Sequence, residues 1–348
     1  MKRLLSRICN GLRSQDAVIM IGSMIVIMAA TLSVVSWPIE TMKRSPSHIW
    51  ERKSARIEAG RKVYIRNGCV YCHTQYVRPQ DWDIGAERIA QSGDYYRDRP
   101  VLLGSERTGY DLSQEGGEHP RDWHYAHFMN PRYTRPRSLM PSFAYEGDRN
   151  LAALTAYLQS QGGTMAAGRM RNQTRFGAEA AAAFRRGPDD NVRWLHSRVP
   201  KEWRAMPTAS PVTTASVARG EKVYQDYCMG CHGPVGDGNG PAAKYLVPTP
   251  LNFPTLRRHL IDGRYIGGIL YYQIMNGVTG TAMPYFKKDL ESAKIWDVGN
   301  YIEYSFVNHT DDKYRSIGIP AAYEGKEARP TSDKPDATPT GSGTGGVR

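Results

Sequence analysis

The chain has few cysteines and spends almost all of them in one way. Four of the five stand in two copies of one pattern, Cys69-Val70-Tyr71-Cys72-His73 and Cys228-Met229-Gly230-Cys231-His232. No further Cys/His cluster accompanies them: His119, His124 and His127 lie close in sequence but have no cysteine near. A structural zinc site asks for four such ligands per metal, so a pair of zinc knuckles is disfavoured. Nucleic-acid signatures are missing too. The net charge of +12 is carried by dispersed arginines without a helix-turn-helix or RNA-binding pattern, so no nucleic-acid partner is expected. A basic surface suits an acidic redox partner or an anionic membrane face. Long apolar runs are absent except for one, from Ala17 to Trp37.

What is present is the attachment signature of a c-type haem, C-x-x-C-H, twice. Cysteines three apart share a helical face, where their thiols can add to the two vinyl groups of one porphyrin, and the following histidine can turn onto the iron. The two copies predict two covalently bound haem c groups. Cys69, Cys72, Cys228 and Cys231 are the expected attachment points, and His73 and His232 the expected axial ligands. Met140-Pro141 and Met283-Pro284 each stand just before the last helix of their module, and proline holds the preceding methionine in an extended loop. Met140 and Met283 are therefore the expected second axial ligands, with His124 or His127 as rivals in the first module and Met275 in the second. A His/Met iron has a raised reduction potential, useful at the oxidising end of a respiratory chain. Behind the axial histidines, the Pro250 carbonyl is placed to accept from His232, and Arg78 is a candidate near His73. A dihaem peroxidase, with one open iron, is the contrasting reading; a Met-Pro in each module argues against it.

The apolar run is uncharged and, at about 1.5 Å per residue, long enough to cross a hydrocarbon core. Lys2, Arg3, Arg7 and Arg13 precede it, as the positive-inside rule asks of a cytoplasmic N-terminus, but Lys43, Arg44, Arg52, Lys53 and Arg56 follow it. Haem c is attached outside the cytoplasm, which breaks the tie. A cleaved signal peptide is the rival; the run is longer than a typical h-region, and Trp37-Pro38-Ile39-Glu40 offers no small-residue cleavage site. Cys9 then falls on the cytoplasmic side as an ordinary thiol.

An internal repeat fixes the rest. Gly60-Arg61-Lys62-Val63-Tyr64 precedes the first motif and Gly220-Glu221-Lys222-Val223-Tyr224 the second, each opening a helix that runs into it. Leu151, Leu154 and Leu158, stopped by Gly162-Gly163, predict a closing helix in the first module; Ile295, Val298 and Ile302 predict its counterpart between Leu290 and Phe306. Gly236-Asp237-Gly238-Asn239-Gly240 lacks the preceding strand and following Lys-Ser/Thr of a phosphate loop and reads as a turn at the haem edge. The fold class is mainly α: one N-terminal transmembrane helix followed by two class-I-like cytochrome c domains. The expected boundaries are 1–16 for a cytoplasmic N-terminus, 17–37 for the anchor, 50–162 for domain 1, 163–215 for a linker, 216–308 for domain 2 and 309–348 for a tail. Within the linker, Ala178 to Phe184 predicts a short helix. The tail, rich in Pro, Gly, Ser and Thr, is expected to be disordered from about residue 320.

Residues from about 17 to 162 resemble the membrane-anchored monohaem subunit of cbb3-type cytochrome c oxidases, subunit II of the C-family haem-copper oxidases. The resemblance rests on Gly60-Arg61-Lys62-Val63-Tyr64, Gly68-Cys69-Val70-Tyr71-Cys72-His73-Thr74-Gln75, Val77-Arg78-Pro79, Arg107-Thr108-Gly109-Tyr110-Asp111-Leu112 and Gly116-Gly117. Asp122-Trp123-His124, His127, Asn130-Pro131 and Met140-Pro141 complete it. It implies a bacterial inner-membrane subunit with its haem domain in the periplasm, packed on a haem-copper catalytic subunit. Electrons would come from a c-type cytochrome or a quinol–cytochrome c reductase. A nitric oxide reductase could use an equivalent subunit, since no residue here forms the terminal centre. Two departures stand out. Tyr110 replaces a family proline that would orient the haem histidine, and a second module, resembling a generic single-haem cytochrome c, follows the first. The expected electron order is second module to first.

Overall fold

The computed structural model describes residues 15–41, 45–84, 87–206, 209–210, 212–259 and 267–308. Cys9, His309 and the tail lie outside the described residues. Among those described there is no strand. The chain divides into two compact units, Met1–Ser47 with Gln91–Asp98, and His48–Ala90 with Arg99–Arg348.

In the first unit, α1 runs through Gln15–Thr41 and is long and apolar enough to cross a membrane. None of its side chains is buried. A continuous apolar face of this size is costly in water and at home in lipid. Two of its hydroxyls bond back to the helix: Ser33 Oγ donates to the Ala29 carbonyl at 2.8 Å and Thr41 Oγ1 to that of Trp37 at 2.7 Å. Thr31–Ser36 widens to a π-helical turn ahead of Pro38, whose ring removes one amide donor from the ladder.

The second unit holds both predicted haem modules. In the first, α2 (Ala55–Arg66), α3 (Arg121–Met129) and α4 (Gly147–Gln159) surround a core of Tyr64, Leu151, Leu154 and Tyr157. Next come α5 (Gly163–Arg186) and α6 (Pro188–Ser197), followed by α7 (Thr214–Tyr227), α8 (Gly267–Asn276) and α9 (Ser292–Ile302) of the second module. The repeated glycine has a steric cause. A Cβ on Gly60 would overlap the Ala153 carbonyl of α4, and one on Gly220 the Asp297 carbonyl of α9. Glycine lets the opening and closing helices of each module touch backbone to backbone. One turn on, Tyr64 meets Tyr157 with ring centroids 5.3 Å apart, and Tyr224 meets Tyr301 at 5.4 Å. Both opening helices are capped by a hydroxyl: Ser54 accepts from the Ile57 amide and Thr213 from the Ser216 amide.

The segment expected to be mainly a loop is mostly helix. Instead of a turn or two around Ala178–Phe184, α5 spans 24 residues. Its Ala, Arg, Met and Gln are good helix formers and outweigh Gly168 and Gly177. Arg169 ties α5 to the first module, donating to the Gly116 carbonyl at 2.8 Å and the Gln114 carbonyl at 2.9 Å and pairing with Glu87 at 2.6 Å. Gly177 lies against Gly280 of the second module, where either glycine's Cβ would meet the other's backbone. Gly187, at a φ of 123°, turns the chain into α6, which starts with proline and buries Val192 in the second module's core.

Candidate haem sites

Each C-x-x-C-H motif forms one tight turn. His73 N donates to the Cys69 carbonyl and His232 N to that of Cys228, both at 2.9 Å. In both modules the turn, the axial histidine and the Met-Pro methionine line one cavity.

The first cavity, of about 300 Å³, is lined by Cys69, His73, His124, His127 and Met140. His73 Nδ1 donates to the Tyr110 carbonyl at 2.8 Å, which leaves Nε2 as the free lone pair. Proline is therefore not needed at position 110: the orienting atom is a backbone carbonyl, which tyrosine supplies equally well. Gly109 is required beside it, because a Cβ there would overlap the His73 ring. The rival histidines line the same cavity beside polar neighbours. His124 Nε2 lies 3.3 Å from Glu115, whose other contact is His119 Nδ1 at 2.7 Å, and His127 Nδ1 lies 2.6 Å from Thr134 Oγ1. Arg78 does not line the cavity. Its guanidinium turns out to Asp81 at 2.7 Å, and Arg107, which also grips Asp81, takes the cavity wall instead.

The second cavity, of about 100 Å³, is lined by Cys228, Cys231, His232 and Met283 within apolar walls that include Leu246 and Leu270. Met275 packs on the surrounding core but not on the cavity. His232 Nδ1 donates to the Leu251 carbonyl at 3.2 Å, not to that of Pro250. The Pro250 carbonyl points at Gly238, where only a hydrogen leaves room for it, so the next carbonyl along faces the imidazole. The glycine loop wraps the motif as expected: Gly238 N donates to the His232 carbonyl at 3.0 Å and Gly240 N to that of Cys231 at 3.1 Å. The methionines share a further device. Met140 N donates to Ser138 Oγ and Met283 N to Thr281 Oγ1, both at 3.2 Å. The motif is thus Ser/Thr-x-Met-Pro, a hydroxyl turn that aims the thioether.

These residues fit haem c. Burial pushes His232 down to about 4, against the Leu251 bond that opposes it, and lowers His73 likewise against its Tyr110 bond, so both imidazoles are neutral and able to ligate. Burial also pushes the Cys69, Cys228 and Cys231 thiols up to about 12. Arg135 Nη1, on the wall of the first cavity, is buried without a hydrogen-bond partner, a donor suited to a porphyrin carboxylate.

Several wall residues were not legible in the motifs. Asn191 and Leu195 of α6 line the second cavity, so the presumed linker helps build it. Tyr285, Lys288 and Asp289 of the second module line the first cavity. The modules meet closely. Asp289 accepts from Arg135 at 2.9 Å and from the Tyr110 hydroxyl, and Asp122 accepts from Val247 N at 2.9 Å. A Cβ on Gly230, inside the second motif, would overlap the Tyr133 carbonyl, which also lies 3.9 Å from Cys231 Sγ.

Two family models match the chain, one over each module. Residues 10–166 match the family "Cytochrome C oxidase, mono-heme subunit/FixO", and residues 215–302 match "Cytochrome C oxidase, cbb3-type, subunit III". No curated protein matches. Among solved structures, the Kuenenia stuttgartiensis reducing HAO-like protein complex Kustc0457/Kustc0458 aligns at 19% identity over 72% of this chain and 96% of that one. The TM-score is 0.25, which carries no argument. The two cbb3 matches imply haem c and association with an oxidase catalytic subunit, and they separate the oxidase reading from the nitric oxide reductase one. The chain is a membrane cytochrome c electron-transfer subunit of a cbb3-type oxidase, with a second cytochrome c domain after the first.

Proposed function

We propose that this subunit carries two covalent haem c groups, that electrons enter at the second module and leave from the first, and that both modules stand on the periplasmic side of an N-in anchor. Cys69 and Cys72 hold one group between His73 and Met140; Cys228 and Cys231 hold the other between His232 and Met283. The observation that carries this reading is the gathering, in each module, of motif cysteine, neutral histidine and hydroxyl-aimed methionine on one cavity: Cys69, His73 and Met140 on the first, Cys228, Cys231, His232 and Met283 on the second. Once bound, each iron alternates between ferric and ferrous states and carries one electron. The protein supplies the rest. Tyr110 and Leu251 fix the imidazoles, and Met140 and Met283 offer thioethers, which raise the potential.

The order of transfer is supported by exposure. Tyr71, inside the first motif, is 78% exposed, and Cys72 beside it is exposed. That edge is open to an acceptor. The second motif is covered by Tyr133 of the first module. An electron leaving there has the first module as its nearest route. A donor, either a c-type cytochrome or a quinol–cytochrome c reductase, then meets the second module away from its motif.

Haem per polypeptide, from an alkaline pyridine spectrum set against amino-acid analysis, tests the count. Two low-spin haems are expected. One haem per chain, or a high-spin haem that binds carbon monoxide, would overturn the proposal.

A further inference from the structure

We propose that Trp123 is the electronic bridge between the two haem sites; this rests on the two-haem reading above. Among the described residues, Trp123 is the one that lines both cavities. It is 7% exposed. On one side its indole is sandwiched between His119 and His127, both on the wall of the first cavity. The ring centroids are 3.8 and 4.7 Å apart and the planes lie within 23° and 11° of parallel. On the other side it packs with Ala242, Leu246 and Ala282 of the second module; Leu246 and Ala282 line the second cavity, and Ala282 directly precedes Met283. Asp122 holds the arrangement, accepting from the Trp123 amide at 2.8 Å with one oxygen and from Val247 N of the second module at 2.9 Å with the other.

The physical case is the path itself. Tunnelling falls off exponentially with distance, and more steeply across a gap than through bonded or closely packed atoms. A single indole touching both cavities offers one covalently continuous π-system between them. The step is a one-electron exchange: the iron held by His232 goes from ferrous to ferric and the iron held by His73 from ferric to ferrous. Trp123 is neither oxidised nor deprotonated at the end. Its role is coupling, so replacing it should alter a rate and leave both potentials where they are.

The test uses the full-length, haem-loaded subunit in detergent. A ruthenium photoreductant injects one electron, and redistribution between the haems is followed optically in the native protein, Trp123→Leu and Trp123→Phe. Haem content and both midpoint potentials are measured alongside. Trp123→Leu should slow the redistribution by an order of magnitude and Trp123→Phe by a few-fold, with potentials unchanged. A native rate in Trp123→Leu, with both haems present, overturns the bridge and leaves the two-haem reading intact. Should Trp123→Leu fail to load its haems, the Phe variant decides: a native rate there overturns the bridge. Slowing that tracks a moved potential also overturns it, since Trp123 would then act on driving force. A native protein with one haem overturns both proposals.

Discussion

The two modules are built to one plan and finished differently. Each crosses its helices at a glycine, packs a tilted tyrosine pair one turn on, closes the C-x-x-C-H turn with the same hydrogen bond, and aims a methionine with a hydroxyl two residues before it. They part at the surface of the motif. The first exposes Tyr71 and Cys72, whereas the second is sealed by the Tyr133 carbonyl against Gly230. The walls differ too. The first cavity carries a polar set of buried Glu115 and His124 and half-buried His119 and Arg135, while the second is mostly apolar. The shared elements are those a haem requires. The differences concern what lies next to each motif: an exposed edge in the first module, the rest of this chain in the second.

The strongest way to break the comparison is at the thioethers. Replacing Cys69 and Cys72 together, or Cys228 and Cys231 together, should each remove one of two covalent haems, read by haem staining on a denaturing gel. Loss of both haems from either variant would show that the modules do not load independently. Next come the crossing glycines. Gly60→Ala and Gly220→Ala each force a methyl into a backbone carbonyl and should cost similarly, about 1–3 kcal/mol or more, in denaturant unfolding. A tolerated alanine in one module only would mean the helix crossings are not equivalent. Met283→Ala and Met140→Ala should each lower one haem's potential by roughly 100 mV or more, within the ~0.8 V that axial ligands span, and leave the other nearly unchanged in a redox titration.

Acid should bring out a smaller effect. Burial, with His259 and Arg204 nearby, holds His196 of α6 down to about 4, against an ordinary value of 6.5. The unfolded chain then binds more protons between those values, so stability is full above pH 6.5 and is lost as pH falls toward 4. His196→Gln should flatten that slope in pH-dependent melting. Smallest of all, Tyr110→Phe removes the hydroxyl on Asp289 but keeps the carbonyl on His73. It should cost about 0.5–1.5 kcal/mol of stability and leave the first haem's spectrum alone; a changed spectrum would mean the side chain, not the carbonyl, sets the imidazole.

What the sequence revealed was whatever is local. The haem turns, the repeated Gly-x-Lys-Val-Tyr helices and the Met-Pro loops depend on neighbours a few residues away, so spacing exposes them. What it hid depends on contacts across the fold. Choosing Pro250 over Leu251 is a one-residue error, settled by how Gly238 accommodates a carbonyl. Tyr110 in place of the family proline leaves His73 oriented, because the orienting atom is a backbone carbonyl. The segment after Gly163 looked like loop because its glycines and arginines mask a helix-forming composition, and no pattern marks Asn191 or Leu195 as cavity walls. Trp123 read as part of a family motif; that it faces two cavities is a property of how the modules meet.

One consequence follows from α5. Fastened by Arg169 at one end and pressed against Gly280 further along, it is a strut of about 36 Å at ~1.5 Å per residue rather than a tether. Separate carriers must collide, and their encounter slows as added salt screens the charges that draw them together. Two haem sites fixed on one strut meet at an effective concentration set by geometry. Exchange between them should then be first-order, indifferent to how much protein is present and to ionic strength, so any salt dependence of turnover would arise at the outer contacts of the subunit.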